Sequence, residues 1–168
     1  MSLSRALLIA GIPSSGKTYF GEWLATHHGY LHIDDVNGNC LRGHGLQPAW
    51  EESLRGRDAR PFIAALQQRS RPAVLNWDFP LDSLAFVGLL KHAGMDLWWF
   101  EADVNAARRE HLRSGRDSLS FDTRVADVAA HRTQIDVLFR PHVLQVLSSR
   151  GEHMPPEAIY DAMDRPPG

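Results

Sequence analysis

The sequence predicts a doubly wound α/β fold built on a parallel sheet, and three observations carry the prediction. Short, mostly apolar runs recur at 6–10, 30–33, 73–77, 97–100 and 143–147, each of strand length. Longer segments with helical spacing lie between them, the alternation expected of βαβ units. The first run breaks into Gly11-Ile12-Pro13-Ser14-Ser15-Gly16-Lys17-Thr18 before a helix, the strand–loop–helix order in which a phosphate-binding loop is built.

With 168 residues and 43% hydrophobic content, the chain can close one core without a disulfide or a structural metal. We take 1–164 as a single domain and 165–168 as a frayed tail. A formal net charge of −2 shows no bulk basic excess, which argues against a nucleic-acid duplex or an anionic membrane as the main partner. Cys40 is the lone cysteine, so an internal disulfide framework is excluded and a reducing, cytoplasmic compartment is expected. The early apolar run is too short for a signal-peptide core or a membrane span.

Each element has its own signature. In the first helix Phe20, Trp23, Leu24 and His27 fall at i, i+3, i+4 and i+7, and Gly29 follows as the terminating residue. After the second strand, the stretch 37–57 mixes glycines with scattered polar residues around Trp50, predicting a mobile, lid-like insertion before a helix at Phe62, Ile63 and Leu66. The third strand stops before Pro80, and Leu81, Leu84, Ala85, Gly88 and Leu89 then mark a helix ending at Gly94. Trp98 and Trp99 read as packing residues of the fourth strand. The stretch 108–122 is a basic helix end running into a turn with Ser and Gly. After the fifth strand, Pro155 and Pro156 before Glu157 open a final helix running to about Met163.

The chemistry starts with the loop. Small residues let successive backbone N–H groups turn inward, and the following helix presents its positive end to an anion. Lys17 adds a full charge for the β- and γ-phosphates, and Thr18 offers a hydroxyl to Mg²⁺. No Asn-Lys-x-Asp guanine signature is present, so ATP is expected, bound by 11–18 with Tyr19 and Arg109.

Asp34 and Asp35 follow the second strand, at the carboxyl edge of the sheet where the loop also opens. A carboxylate there either accepts a hydroxyl proton or holds Mg²⁺ through water; the bland alternative is a helix cap. Asp78 ends the third strand as a metal-supporting acid does, or serves the turn before Pro80. Arg109, Arg113 and Arg116 lie about one turn apart and are placed to close over a triphosphate. With Glu110 and Asp117 beside them they also fit a solvated, salt-bridged helix. Arg124 and Arg132 are weaker candidates for the same role. The nine histidines show no trusted metal-ligand spacing.

In the motifs "GIPSSGKT", "HIDDVN", "AVLNWDF", "FEADVNAARREHLRSGR" and "SSRGEHMPPE", taken in order, the chain resembles the small P-loop kinases: shikimate, gluconate and nucleoside monophosphate kinases, polynucleotide kinase and the zeta toxins. The resemblance implies a three-layer α/β/α P-loop NTPase fold with a five-stranded sheet in the order 2-3-1-4-5, and use of ATP with Mg²⁺. It makes 37–57 an acceptor-side insertion and 108–122 a lid. It also implies Asp34 as the acceptor-activating base and Arg113 and Arg116 as lid arginines. The loop 149–155 falls where relatives contact adenine. Ser14 stands where many relatives carry glycine. Asn37 replaces a basic residue that in relatives binds an anionic acceptor, which favours a neutral hydroxyl acceptor, although Arg42, Arg55 and Arg57 can restore an anion site.

The resulting expectation is an ATP-dependent kinase of a small acceptor. Lys17, Asp34, Arg113 and Arg116 carry the chemistry, Asp35, Asn37, Arg55 and Asp78 face the acceptor, and Thr18, Asp34 and Asp78 support Mg²⁺. A nucleic-acid 5′ end is the one nucleic-acid substrate in view. The alternative is an ATP-binding switch with little acceptor chemistry. No motif names the acceptor or sets an oligomeric state.

Overall fold

The computed structural model of the protein describes residues 5–34 and 40–165. Asp35, Asn37 and most of the expected tail lie outside the described residues. The strands β1 (Ala6–Gly11), β2 (Leu31–Asp34), β3 (Ala73–Asn76), β4 (Asp96–Ala102) and β5 (Val143–Leu147) pair in parallel. They form one five-stranded sheet in the order β2-β3-β1-β4-β5, the arrangement the resemblance implies. β4 is longer than its apolar run because Asp96 pairs with Leu7 and Ala102 with Leu147.

Alternation along β1 sets the layers. Leu7 and Ile9 pack on one face with Phe20 and Leu24 of α1 (Lys17–His28) and Ile159 and Met163 of α9 (Pro156–Asp164). Leu8 and Ala10 face the other core, which collects apolar side chains from α2 (Cys40–Gly43), α4 (Arg60–Gln67), α5 (Leu84–His92), α6 (Val104–Arg113), α7 (Ser118–Ala130) and α8 (Arg132–Phe139). Trp50 of α3 (Gln47–Gly56) is central there, edge-on to Phe62, Trp77 and Phe86 at 4.8, 5.0 and 5.4 Å between ring centres. These are the tilted geometries that aromatic quadrupoles favour.

The expected insertion 37–57 is largely helical in its described part. Residues 40–56 hold two helices, α2 and α3, and bury Leu41, Leu46 and Trp50. Pro48 sits in the first turn of α3, and Arg57 closes the helix in the left-handed region at φ 49°. Burial of three apolar side chains outweighs the weak local helix propensity of a glycine-containing stretch. The first helix ends as expected, at Gly29 with φ 70°, whose N–H donates to the Leu24 carbonyl.

Candidate functional site

The loop between β1 and α1 turns on two left-handed residues, Ser14 at φ 62° and Gly16 at φ 87°. Ser14 therefore bears a strain that glycine would not. Gly11 has no room for a side chain: a Cβ there would lie 2.6 Å from the Phe100 carbonyl oxygen on β4. Inside the loop, the Ser14 hydroxyl oxygen is buried without a hydrogen-bond partner. An orphaned hydroxyl just before the N-terminus of α1 suits an oxygen-rich anion.

Lys17 is 7% exposed and folds back over the loop. Its Nζ donates to the Ile12 carbonyl at 2.8 Å and to Ser15 Oγ at 3.2 Å, and forms an ion pair with Asp78 Oδ1 at 3.1 Å. Thr18 Oγ1 donates to Asp34 Oδ2 at 3.0 Å. The loop, the end of β2 and the residues after β3 thus meet at one point. This hydroxyl and the two carboxylates are hard oxygen donors, the chemistry Mg²⁺ selects.

Beneath this point Asn76 does the joining. Its amide Nδ2 donates to the Lys17 carbonyl and to His32 Nε2, both at 2.8 Å, so the His32 proton resides on Nδ1. Burial holds the His32 imidazole below its ordinary pKa, against the pull of Asp34 and Glu22. Gly21 lets α1 approach so closely, since a Cβ there would lie 2.7 Å from Asn76 Nδ2 and run into the His32 ring. Cys40 ties α2 to the same strand end. Its Sγ accepts from the Asp34 N–H at 3.2 Å and donates to the His32 carbonyl at 3.7 Å.

A cavity of about 610 Å³ opens from the loop, within the usual size of a small-molecule site. Residues 13–20 line it together with Asp34, Asn76 and Asp78. The opposite wall is mixed: Glu110, Ser114 and Arg116 from α6 and the following turn, then Val146, Met154, Pro155 and Ile159. Tyr19, 65% exposed, also borders it. Arg116 Nε donates to Ser114 Oγ at 3.0 Å, and Arg109 Nη2 reaches the Ser149 carbonyl at 3.4 Å. Arg113 and Arg55 are exposed and do not line the cavity.

Sequence reasoning gives no site role to three side chains that the fold brings to this region, Asn76, Glu110 and His153, and ranks a fourth, Arg124, only as a weaker candidate. Asn76 was read as part of a strand, although an amide inside an apolar run was a visible signal. Glu110 and His153 pair across the cavity from distant parts of the chain. Arg124 of α7 lies over Phe79, its carbon Cζ 5.6 Å from the ring centre, and Nη1 donates to the Phe79 carbonyl at 2.6 Å. Its Nε and Nη2 are buried without partners. Burial lowers its pKa, opposed by Asp78 and Asp127.

No protein-family model matches the sequence, and no curated protein matches it. Solved structures do. A gluconokinase from Sinorhizobium meliloti superposes with a TM-score of 0.53 over 97% of this chain and 91% of its own, at 17% identity. A shikimate kinase from Bacteroides thetaiotaomicron gives 0.50 over 83% and 85%, at 12% identity. The chain has the small P-loop kinase fold. Within that kinase fold the described site occupies the carboxyl edge of the sheet, at β1, β2 and β3, where open α/β sheets carry their ligands. Among the described residues no helix is long and apolar enough to cross a membrane.

Proposed function

We propose that the protein is an ATP-dependent kinase that transfers the γ-phosphoryl group to a hydroxyl of a small acceptor. The observation that carries this reading is the 3.0 Å hydrogen bond from Thr18 to Asp34 at the mouth of the phosphate loop. It sets a candidate base beside the residue that would face the reacting phosphate.

Backbone N–H groups of the loop 11–18, apart from Pro13, which has none, and the Lys17 ammonium bind the β- and γ-phosphates, with Tyr19 and Arg109 completing the nucleotide site. Thr18, Asp34 and Asp78 would hold Mg²⁺, partly through water. The ion supplies neutralisation of phosphate charge when bound. Asp34 accepts the acceptor's hydroxyl proton as the new O–P bond forms and the bond to the β-phosphate oxygen breaks, releasing ADP. Arg116, at the cavity edge, neutralises charge on the transferred group. Asp78, which borders the cavity, faces the acceptor. Because phosphoryl transfer is mainly positioning and electrostatics, these roles suffice in kind.

The test is Mg-ATP turnover against sugars, sugar acids, nucleosides, nucleotides, aminoglycosides and oligonucleotide 5′ ends, with Lys17→Ala and Asp34→Asn alongside. Acceptor-stimulated ADP formation is expected. It should fall about 10²- to 10⁴-fold in Asp34→Asn, the usual weight of a general base, while ATP binding persists. Tight ATP binding that needs Lys17, with no acceptor raising turnover, would replace the kinase with a nucleotide switch.

A further inference from the structure

His153 stands at the phosphate loop, not with the apolar wall of its own segment. It follows the fifth strand and bridges back to Leu147, which sets its ring across the cavity from α6. Its Nε2 lies 2.7 and 2.8 Å from the two carboxylate oxygens of Glu110. The opposite edge of the imidazole faces the loop: a Cβ placed on Gly16 would lie 3.6 Å from Nδ1 and 3.8 Å from Cε1. Both His153 and Glu110 border the cavity.

The two nitrogens therefore have different duties. A carboxylate only accepts, so the Nε2 facing Glu110 carries a proton. Nδ1 is then a bare lone pair in the neutral ring and a donor in the charged one. A lone pair beside a phosphate cradle is repelled by phosphate oxygens, whereas an N–H there forms a charge-assisted hydrogen bond. The other charged side chains on the cavity are Lys17, Arg116, Asp34 and Asp78; Arg109 is tied to the Ser149 carbonyl nearby. Glu152 precedes His153 in the chain.

We propose that His153 is a phosphate ligand of the nucleotide site, used in its doubly protonated form. Nε2–H donates to Glu110 and Nδ1–H to a phosphate oxygen. Glu110, which alone would repel a triphosphate, becomes the counter-charge that keeps the ring cationic. Wherever the free ring is neutral, nucleotide binding then takes up a proton. This deepens the nucleotide-binding reading given above and rests on it.

The experiment is calorimetric titration of the full chain with ATP at pH 6 and pH 8, in two buffers of different ionisation enthalpy, for wild type, His153→Gln and Glu110→Gln. The wild type is expected to take up protons at pH 8 and to bind more weakly there. His153→Gln should lose that uptake beyond what ATP itself contributes, and should bind about tenfold more weakly at pH 6, the weight of one hydrogen bond to a charged group. Glu110→Gln keeps the ring and removes its counter-charge, so its proton uptake should begin at lower pH. It also provides the reading should His153→Gln fail to fold. Equal affinity and equal proton uptake in wild type and both variants would overturn the role of His153 while leaving the nucleotide site standing. Failure of the wild type to bind ATP at all would overturn both.

Discussion

Lys17 Nζ is 3.1 Å from Asp78 Oδ1, and the same ammonium donates to the Ile12 carbonyl and Ser15 Oγ. The loop's positive charge is thus held by an acid, which a phosphate bound there as proposed would displace or share. Replacing Lys17 with Ala removes a charge-assisted contact of about 1.5–3 kcal/mol, which predicts a roughly ten- to hundredfold rise in the ATP Kd. Asp78→Asn should do the reverse without Mg²⁺, tightening ATP several-fold because the competing negative charge is gone. Titration of both variants with and without Mg²⁺ checks the pair.

Thr18→Val keeps the size of the side chain and deletes the hydroxyl that donates to Asp34. The expected outcome is selective. ATP should bind as in wild type in EDTA, whereas the gain in affinity that Mg²⁺ brings should shrink about tenfold or more. Equal responses to Mg²⁺ in the two proteins would remove Thr18 from the metal site.

Gly21→Ala sets two effects against each other. Alanine gains about 0.8–1.0 kcal/mol of helix propensity. Its Cβ, however, would lie 2.7 Å from Asn76 Nδ2 and closer still to His32 Nε2 and Cδ2, an overpacking that costs about 1–3 kcal/mol. The clash should win, lowering Tm and loosening the Asn76 contact to the Lys17 carbonyl. Denaturant melts of Gly21→Ala beside an exposed control such as Gly56→Ala, where a Cβ meets nothing, give the sign.

His32 predicts a pH dependence. Its folded pKa lies below the ordinary 6.5 because burial disfavours the charged ring. The unfolded chain therefore binds the proton first, and stability present in full above pH 6.5 should decline as the pH falls below that value and through the lower folded pKa. Thermal melts from pH 8 to pH 5 should show a shallower acid loss in His32→Gln, whose side-chain oxygen can still accept from Asn76.

Much of the fold could be read from local chemistry. Strands announced themselves as apolar runs, and Gly29 and Pro156 marked helix ends because their backbone demands are local. The helices within 40–56 are not legible locally because α2 and α3 owe their helicity to buried Leu41, Leu46 and Trp50, a tertiary effect that propensity does not register. The site divides in the same way. A contiguous motif exposed Lys17 and Thr18, and strand ends exposed Asp34 and Asp78. Asn76 and His153 matter through neighbours 59 and 43 residues away, Lys17 and Glu110, and only the folded sheet reveals those distances. Charge and spacing drew Arg113 and Arg55 into the candidate set, but neither says which way a surface side chain turns.

β2 and β3 are neighbours in the sheet, yet the stretch carrying α2, α3 and α4 separates them in the chain. That stretch starts beyond the carboxyl end of β2 and returns at the amino end of the parallel β3, packing on one face of the sheet, while α1 and α9 cover the other face without it. A different excursion could be spliced between the same two strands, provided it supplied an aromatic plug for Trp77 and Phe86 where Trp50 now sits. The loop between β1 and α1 lies outside such a graft, so this architecture lets selection rewrite one flank of the sheet while the motif of 11–18 is inherited intact.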